Sequence, residues 1–276
     1  MERALDLLAA RRLAVLTGAG VSTDSGIPDY RGPGSPSRTP MTYSEFVSGP
    51  AARQRYWARS YLGWSRMHRA RPNASHHALA RLAAEGRVRL LITQNVDGLH
   101  EQAGSDPVCA LHGRISDVVC LGCRVRSPRA GLQERMRLLN PGFAITARGV
   151  EARPDGDVEV DSTAGFVVPG CPACGGVLKP DVVFFGENVP KDRVQHCFAA
   201  VDEAEALLVA GSSLSVLSGY RFVRHAHTRG IPVVVVNRGA TRGDALATHK
   251  VDAGCADFLT ALAGRPRVGG APAAVG

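Results

Sequence analysis

The 276-residue sequence has no apolar run approaching the roughly 20 residues that a membrane-crossing helix needs. Its amino terminus also lacks the charged-then-apolar pattern, closed by small residues, of a secretory signal. The expectation is a cytoplasmic protein with no membrane partner. Lysine is nearly missing, occurring only at Lys179, Lys191 and Lys250. No dense basic block exists, although 33 Lys+Arg outweigh 25 Asp+Glu to give +8. A specific nucleic-acid partner is therefore not expected, while anionic ligands are favoured. The arginine bias, beside abundant Ala and Gly, reads as a GC-rich coding sequence, so an arginine alone is no functional signal. Seven cysteines, an odd number in a long chain, suit a reducing compartment better than a disulfide framework. There is no internal repeat, and residues 265–276 lack a core-forming pattern and are expected to be disordered.

What is present is 45% hydrophobic residues, enough for a sizeable core. Apolar, β-rich runs recur at 13–16, 88–92, 182–185, 206–210 and 232–236. Near-continuous runs of this kind suit parallel strands buried on both faces, with crossover helices between them. One such helix is expected over 75–84, closed by Glu85-Gly86. The predicted fold is α/β: a doubly wound, Rossmann-like parallel sheet built from 1–38, 75–113 and 179–264. Two stretches break the alternation. Residues 39–74, with the aromatic and Arg-rich "RQRYWARSYLGW", predict an inserted helical segment. Residues 114–178 predict a smaller inserted zinc-binding module that carries an Arg-rich helical piece near 131–139 and a polar surface excursion, "EARPDGDVEVDST".

The zinc expectation rests on "CLGC" (Cys120, Cys123) and "CPAC" (Cys171, Cys174), separated by 47 residues. Each pair can present two thiolates to one tetrahedral ion, and four thiolates leave no open position, so the zinc would be structural. Two redox pairs, or incidental buried cysteines, are the competing reading. "LTGAGVSTDSGIPDYRG" places Gly18 and Gly20 behind an apolar run, but Thr23 stands where a third fingerprint glycine would be. A phosphate cradle and a plain strand-to-helix turn both fit it. "GSSL" (211–214) and "VVVVN", ending at Asn237, also follow strands and favour a dinucleotide crevice at the carboxyl edge. "TQNVDGLH" brings Gln94, Asn95 and Asp97 to that edge, where they could bind a ribose or carboxamide or simply cap a helix. His112, in "LHGR" at the junction of two modules, could be a general base or a structural histidine.

Together, "GAGVSTDSGIPDYRG", "TQNVDGLH", "LHG", the paired CxxC, "GSSL" and "VVVVN" resemble, in order and over nearly the whole chain, the sirtuin family of NAD-dependent protein deacylases. "RQRYWARSYLGW" and "CGGVLKPDVVFFGENVP" are most similar to its class II branch, which includes lipoamidase-type members. The resemblance implies that NAD, consumed as co-substrate, contacts Gly18, Ala19, Gly20, Thr23, Asp29, Tyr30 and Arg31, the glycines approaching its pyrophosphate. It further implies Gln94, Asn95 and Asp97 in the nicotinamide-ribose pocket, Gly211, Ser212 and Ser213 on phosphate or ribose, and Asn237 and Cys255 near the adenosine half.

The reaction that the resemblance implies starts with attack of an acyl-lysine carbonyl oxygen on the nicotinamide ribose. Nicotinamide leaves and an alkylimidate forms. His112 then acts as base for the ribose hydroxyls, and water completes release of lysine and 2′-O-acyl-ADP-ribose, with Asn95 and Asp97 as catalytic partners. The protein or peptide substrate is expected in the cleft between sheet and zinc module, pairing with "VVFFGE" and "GSSLSV". Protein mono-ADP-ribosyltransfer is the alternative activity, and an NAD-binding regulatory module without turnover is a reading of another class. Tyr56 and Arg59, three apart on an expected helix, look like an acyl-carboxylate pair of desuccinylating sirtuins. The bland alternative is an amphipathic helix with Tyr56 packed and Arg59 solvated.

Overall fold

The computed structural model describes residues 1–29, 40–143 and 163–266. Tyr30, Arg31, most of the polar excursion and residues 267–276 lie outside the described residues. Nine strands are described: β1 (Leu13–Thr17), β2 (Val88–Thr93), β3 (Val108–Ala110), β4 (Gly113–Cys120), β5 (Arg126–Pro128), β6 (Leu178–Val182), β7 (Ala206–Ala210), β8 (Val233–Val236) and β9 (His249–Val251). The α-helices described are α1 (Glu2–Ala9), α2 (Tyr43–Val47), α3 (Pro50–Arg69), α4 (Ala74–Ala84), α5 (Leu99–Gln102), α6 (Arg129–Leu139), α7 (Lys191–Asp202), α8 (Leu217–Thr228) and α9 (Cys255–Gly264).

Six strands form one sheet in the order β3-β2-β1-β7-β8-β9, and every pairing in it is parallel. The order reverses direction at β1 and β7, which opens a crevice at their carboxyl ends. β1 shows why the apolar runs were informative: Leu13 and Val15 pack with α1, α4 and α9 on one face, while Ala14 and Leu16 pack with α7 and α8 on the other. All five of its residues are buried. α4 starts where Asn73 accepts a hydrogen bond from the Ser75 amide and His76 Nδ1 accepts one from the Asn73 amide, a reciprocal cap.

The run expected as a parallel strand over 182–185 is not part of this sheet. Residues 178–182 form β6, antiparallel to β4 in a separate three-stranded sheet, β5-β4-β6. The reason is non-local: Cys120 pairs with Leu178, so the strand leaving the second cysteine knuckle is bound to the strand entering the first. Residues 179–182 thus go with the zinc module, not with the main sheet. α2, α3 and α6 share one apolar core with β4 and β6, including Phe46, Trp57, Val118, Leu132, Met136 and Leu178. The helical insertion and the cysteine module are therefore one packed body. Trp57 donates its indole N–H to the Leu178 carbonyl (3.1 Å) across that core. At the other end of the chain, Arg265 forms ion pairs with Glu2 and Asp6, so this residue is fixed on α1 and does not begin a disordered tail.

Candidate active site

β1 ends at Thr17 and the chain turns through two short 3₁₀ segments, Ala19–Val21 and Thr23–Ser25. The Gly20 amide donates to the Gly211 carbonyl (2.9 Å), joining the loop after β1 to the loop after β7. A side-chain carbon on Gly18 would lie 2.8 Å from the Gly211 oxygen, and one on Gly211, whose φ is +61°, would lie 2.5 Å from the Val21 nitrogen. These glycines are thus required by contact between two backbones, whatever ligand lies beyond them.

Three polar residues after β2 are tied to this double loop. Gln94 Nε2 donates to Ser212 Oγ (2.8 Å), and Asn95 Nδ2 donates to the Gly18 carbonyl and to Ser22 Oγ, both at 3.1 Å. Ser22 Oγ in turn donates to Asp97 Oδ2 (2.7 Å), while the Leu99 amide donates to Asp97 Oδ1 (2.9 Å). Burial raises the Asp97 pKa, and these two hydrogen bonds oppose the rise. Asp97, just before the Gly98 cap of α5, therefore holds the first amide of that helix and the site hydroxyl of Ser22 together. Ser22, almost fully buried, was not singled out in the sequence; a serine between two loop residues carries no signal until its partners are known.

His112 sits where the main sheet passes into β4, with its own carbonyl accepting from the Val183 amide (2.8 Å). Its Nδ1 lies 2.9 Å from the Gln94 carbonyl and its Nε2 lies 2.7 Å from Ser218 Oγ. A carbonyl only accepts, so Nδ1 carries the proton and Nε2 presents its lone pair. Burial lowers the imidazole pKa to about 4; the Gln94 carbonyl opposes that, and the Arg193 and Arg221 charges add to it. His112 is neutral near neutral pH, with Nε2 unprotonated. Ser218 was also missed by sequence reasoning.

Of the other expected site residues, Ala19 and Gly20 are half-buried in the first turn, and Thr23 is exposed with Oγ1 on the Gly20 carbonyl (3.2 Å). Asp29 is half-buried at the edge of the described residues. Ser213 Oγ is 3.1 Å from Ser215 Oγ, and Asn237, at the end of β8, donates to the Arg238 carbonyl (2.7 Å). Cys255 starts α9 within the core, and burial pushes its thiol up to about 12, so it stays protonated. Tyr56 is not on an open face: its ring packs against Phe46, Trp57 and Phe184. Arg59, one turn on, is half-buried. Phe185, in "VVFFGE", is exposed at the module junction, its carbonyl accepting from the Tyr43 amide (2.9 Å).

Cys120, Cys123, Cys171 and Cys174 place their sulfur atoms within 4.8 Å of one another. Sγ–Sγ separations of 3.5 Å (Cys120–Cys174) and 3.7 Å (Cys123–Cys171) match the edge of about 3.8 Å expected for a tetrahedron with Zn–S bonds of about 2.3 Å. The Cys123 amide, donated to Cys120 Sγ, lowers that thiol to about 6 and favours the ligating thiolate. The donor set fits a structural zinc.

A model of the Sir2 family matches residues 18–218. The chain belongs to the Sir2 family. Among its Sir2 relatives, NAD-dependent protein deacetylase 1 of Mycobacterium avium (strain 104) is 56% identical over 260 residues, covering 93% of this chain and 92% of that protein. NAD-dependent protein deacetylase 1 of Streptomyces coelicolor (strain ATCC BAA-471 / A3(2) / M145) is 54% identical over 262 residues, covering 94% and 88%. A solved Sir2–p53 peptide–NAD+ structure is similar with a TM-score of 0.76 at 33% identity, covering 94% of this chain and 95% of that one. As a Sir2 protein the chain uses NAD, and the crevice at β1 and β7 has a fitting donor set: amides, hydroxyls and one carboxylate around a glycine loop. No helix of the described residues is long and apolar enough to cross a membrane.

Proposed function

We propose that the chain removes acyl groups from protein lysines at the expense of NAD, acetyl first, with His112 as its general base. The activity is the one carried by name by relatives 56% and 54% identical over nearly the whole chain. The observation that carries the base assignment is a neutral imidazole at the junction of the two modules, held at Nδ1 by the Gln94 carbonyl and unprotonated at Nε2, which faces the Ser218 hydroxyl. Bound NAD supplies an electrophilic ribose carbon from which nicotinamide departs.

The remaining roles fall to side chains. Asn95 and Asp97, fixed through Ser22, would hold the nicotinamide half with Gln94. Gly18, Ala19, Gly20, Thr23, Gly211, Ser212 and Ser213 would meet phosphate and ribose; Asp29, Tyr30 and Arg31 would complete the loop; Asn237 and Cys255 would border the adenosine. The four cysteines would hold zinc away from the chemistry. The class II assignment rests on "RQRYWARSYLGW" and "CGGVLKPDVVFFGENVP". Arg59, half-buried one turn from Tyr56, supports activity on carboxylate-bearing acyl groups as well.

The test is product analysis with NAD and a panel of acyl-lysine peptides. Nicotinamide, free lysine and 2′-O-acyl-ADP-ribose in equal amounts are expected. Covalently ADP-ribosylated protein in their place would favour the transferase alternative, and NAD binding without either product would favour a regulatory module.

A further inference from the structure

Nε2 of His112 has one lone pair, and Ser218 Oγ already occupies it at 2.7 Å. A substrate hydroxyl that gives up its proton to this base must either expel Ser218 or pass the proton through it. The surroundings favour passage. Ser218 is on the first turn of α8, and the adjacent Gly219 is packed so closely on the Gln94 side chain that a side-chain carbon there would lie 2.5 Å from Oε1. The Gln94 carbonyl meanwhile fixes the far side of the imidazole (2.9 Å). Helix and ring are thus locked to the same residue, and the hydroxyl lies between them, donating to Nε2, with no hydrogen bond to its own lone pairs among the described residues.

We propose that Ser218 is a proton relay between the reacting hydroxyl and His112. The substrate O–H bond breaks as its proton goes to Ser218 Oγ. The Oγ–H bond breaks as its proton goes to Nε2, leaving serine unchanged and an imidazolium. The rotated hydroxyl then accepts from the new Nε2–H. This matters because Arg193, whose guanidinium donates to the Leu111 carbonyl (3.0 Å), and Arg221 both disfavour positive charge on the ring. A hydrogen bond to a charged group is stronger than one to a neutral group, so Ser218 stabilises the ring most once it is charged.

The inference rests on His112 being the base, and the test separates the two. Deacetylation of an acetyl-lysine peptide is measured for the full chain and for Ser218→Ala, with Ser218→Thr and Ser218→Val as a pair of equal shape that differ in the hydroxyl. Loss of the hydroxyl is expected to lower kcat about tenfold or more, bounded by the roughly 10²- to 10⁴-fold that a base contributes, with KM for NAD unchanged. Threonine should restore the rate and valine should not. In mixed H₂O/D₂O, kcat of the wild type should depend on deuterium fraction as two protons in flight, and that of Ser218→Ala as one. Wild-type or faster turnover in Ser218→Ala, or equal rates for Thr and Val, would overturn the relay while His112→Ala remained inactive. An active His112→Ala would instead overturn the base assignment beneath it.

Discussion

Acid should destabilise this protein through a buried histidine pair that takes no part in the chemistry. The rings of His76 (α4) and His100 (α5) are 4.7 Å apart and both residues are fully buried. His100 Nε2 meets Thr17 Oγ1 (2.9 Å), but His76 Nε2 and His100 Nδ1 have no hydrogen-bond partner among the described residues. Burial is the main cause that lowers His76 to about 4 and His100 to about 3, with His77 adding to the shift at His76 and His76 to that at His100. In the unfolded chain each returns to about 6.5. A depressed histidine contributes stability that is present above the unfolded pKa and is lost as pH falls, because only the unfolded state takes up the proton. At pH 5.5 that uptake favours the unfolded state by about 1.4 kcal/mol per histidine, against almost nothing at pH 7.5, or about 3 kcal/mol for the pair. The perturbation is His76→Leu, which keeps an apolar filling of similar size. Its absolute stability is not the readout, since the helix cap from His76 is lost too. Urea unfolding at pH 7.5 and 5.5 gives the fall in each protein, and the variant's fall should be smaller by about 1.4 kcal/mol. Protonation of the zinc thiolates affects both proteins alike and cancels. Equal falls would refute the claim that His76 is neutral in the folded state.

Cys171→Ser should lose stoichiometric zinc and melt at lower temperature; metal analysis and calorimetry check this, and unchanged zinc and stability would remove the cluster from the account. Gly211→Ala should cost about 2–4 kcal/mol, from an over-packed backbone contact together with a left-handed residue, read by urea unfolding. A cost below about 0.5 kcal/mol would show that the loops after β1 and β7 part readily. Arg59→Met should lower kcat/KM for succinyl-, malonyl- or glutaryl-lysine peptides by roughly 10- to 150-fold, the loss of one charge-assisted contact of about 1.5–3 kcal/mol, and leave acetyl-lysine unaffected. An equal loss on every peptide, or a wild type that ignores acidic acyl groups, would remove Arg59 from acyl selection.

The main sheet was legible because strands buried on both faces leave continuous apolar runs, as β1, β2, β7 and β8 do. β9, only three residues with His249 and Lys250 in it, leaves no such run. The 182–185 run misled for a different reason: its chemistry is that of a core strand, but its partner is fixed by cysteine knuckles some 50 residues apart, a non-local constraint that composition does not carry. The cysteines themselves were readable from spacing alone. Gly18 and Gly20 were noticed for the right property and given a narrower cause, because an approaching ligand and an approaching backbone make the same demand on a residue. Tyr56 illustrates the limit of a helical-face argument: i and i+3 share a side of α3, and here that side reaches the small module's aromatic core at Tyr56. Ser22 and Ser218 could not be read at all, since a serine is given meaning only by what faces it.

The central claim is that a neutral His112 accepts the proton in NAD-dependent deacylation. Steady-state turnover of an acetyl-lysine peptide with NAD by His112→Ala, alongside NAD affinity by calorimetry and a melting curve, tests it most directly. The account predicts a folded protein that binds NAD as the wild type does and turns over about 10²- to 10⁴-fold more slowly. A folded His112→Ala protein whose turnover stays within about twofold of the wild type would contradict it.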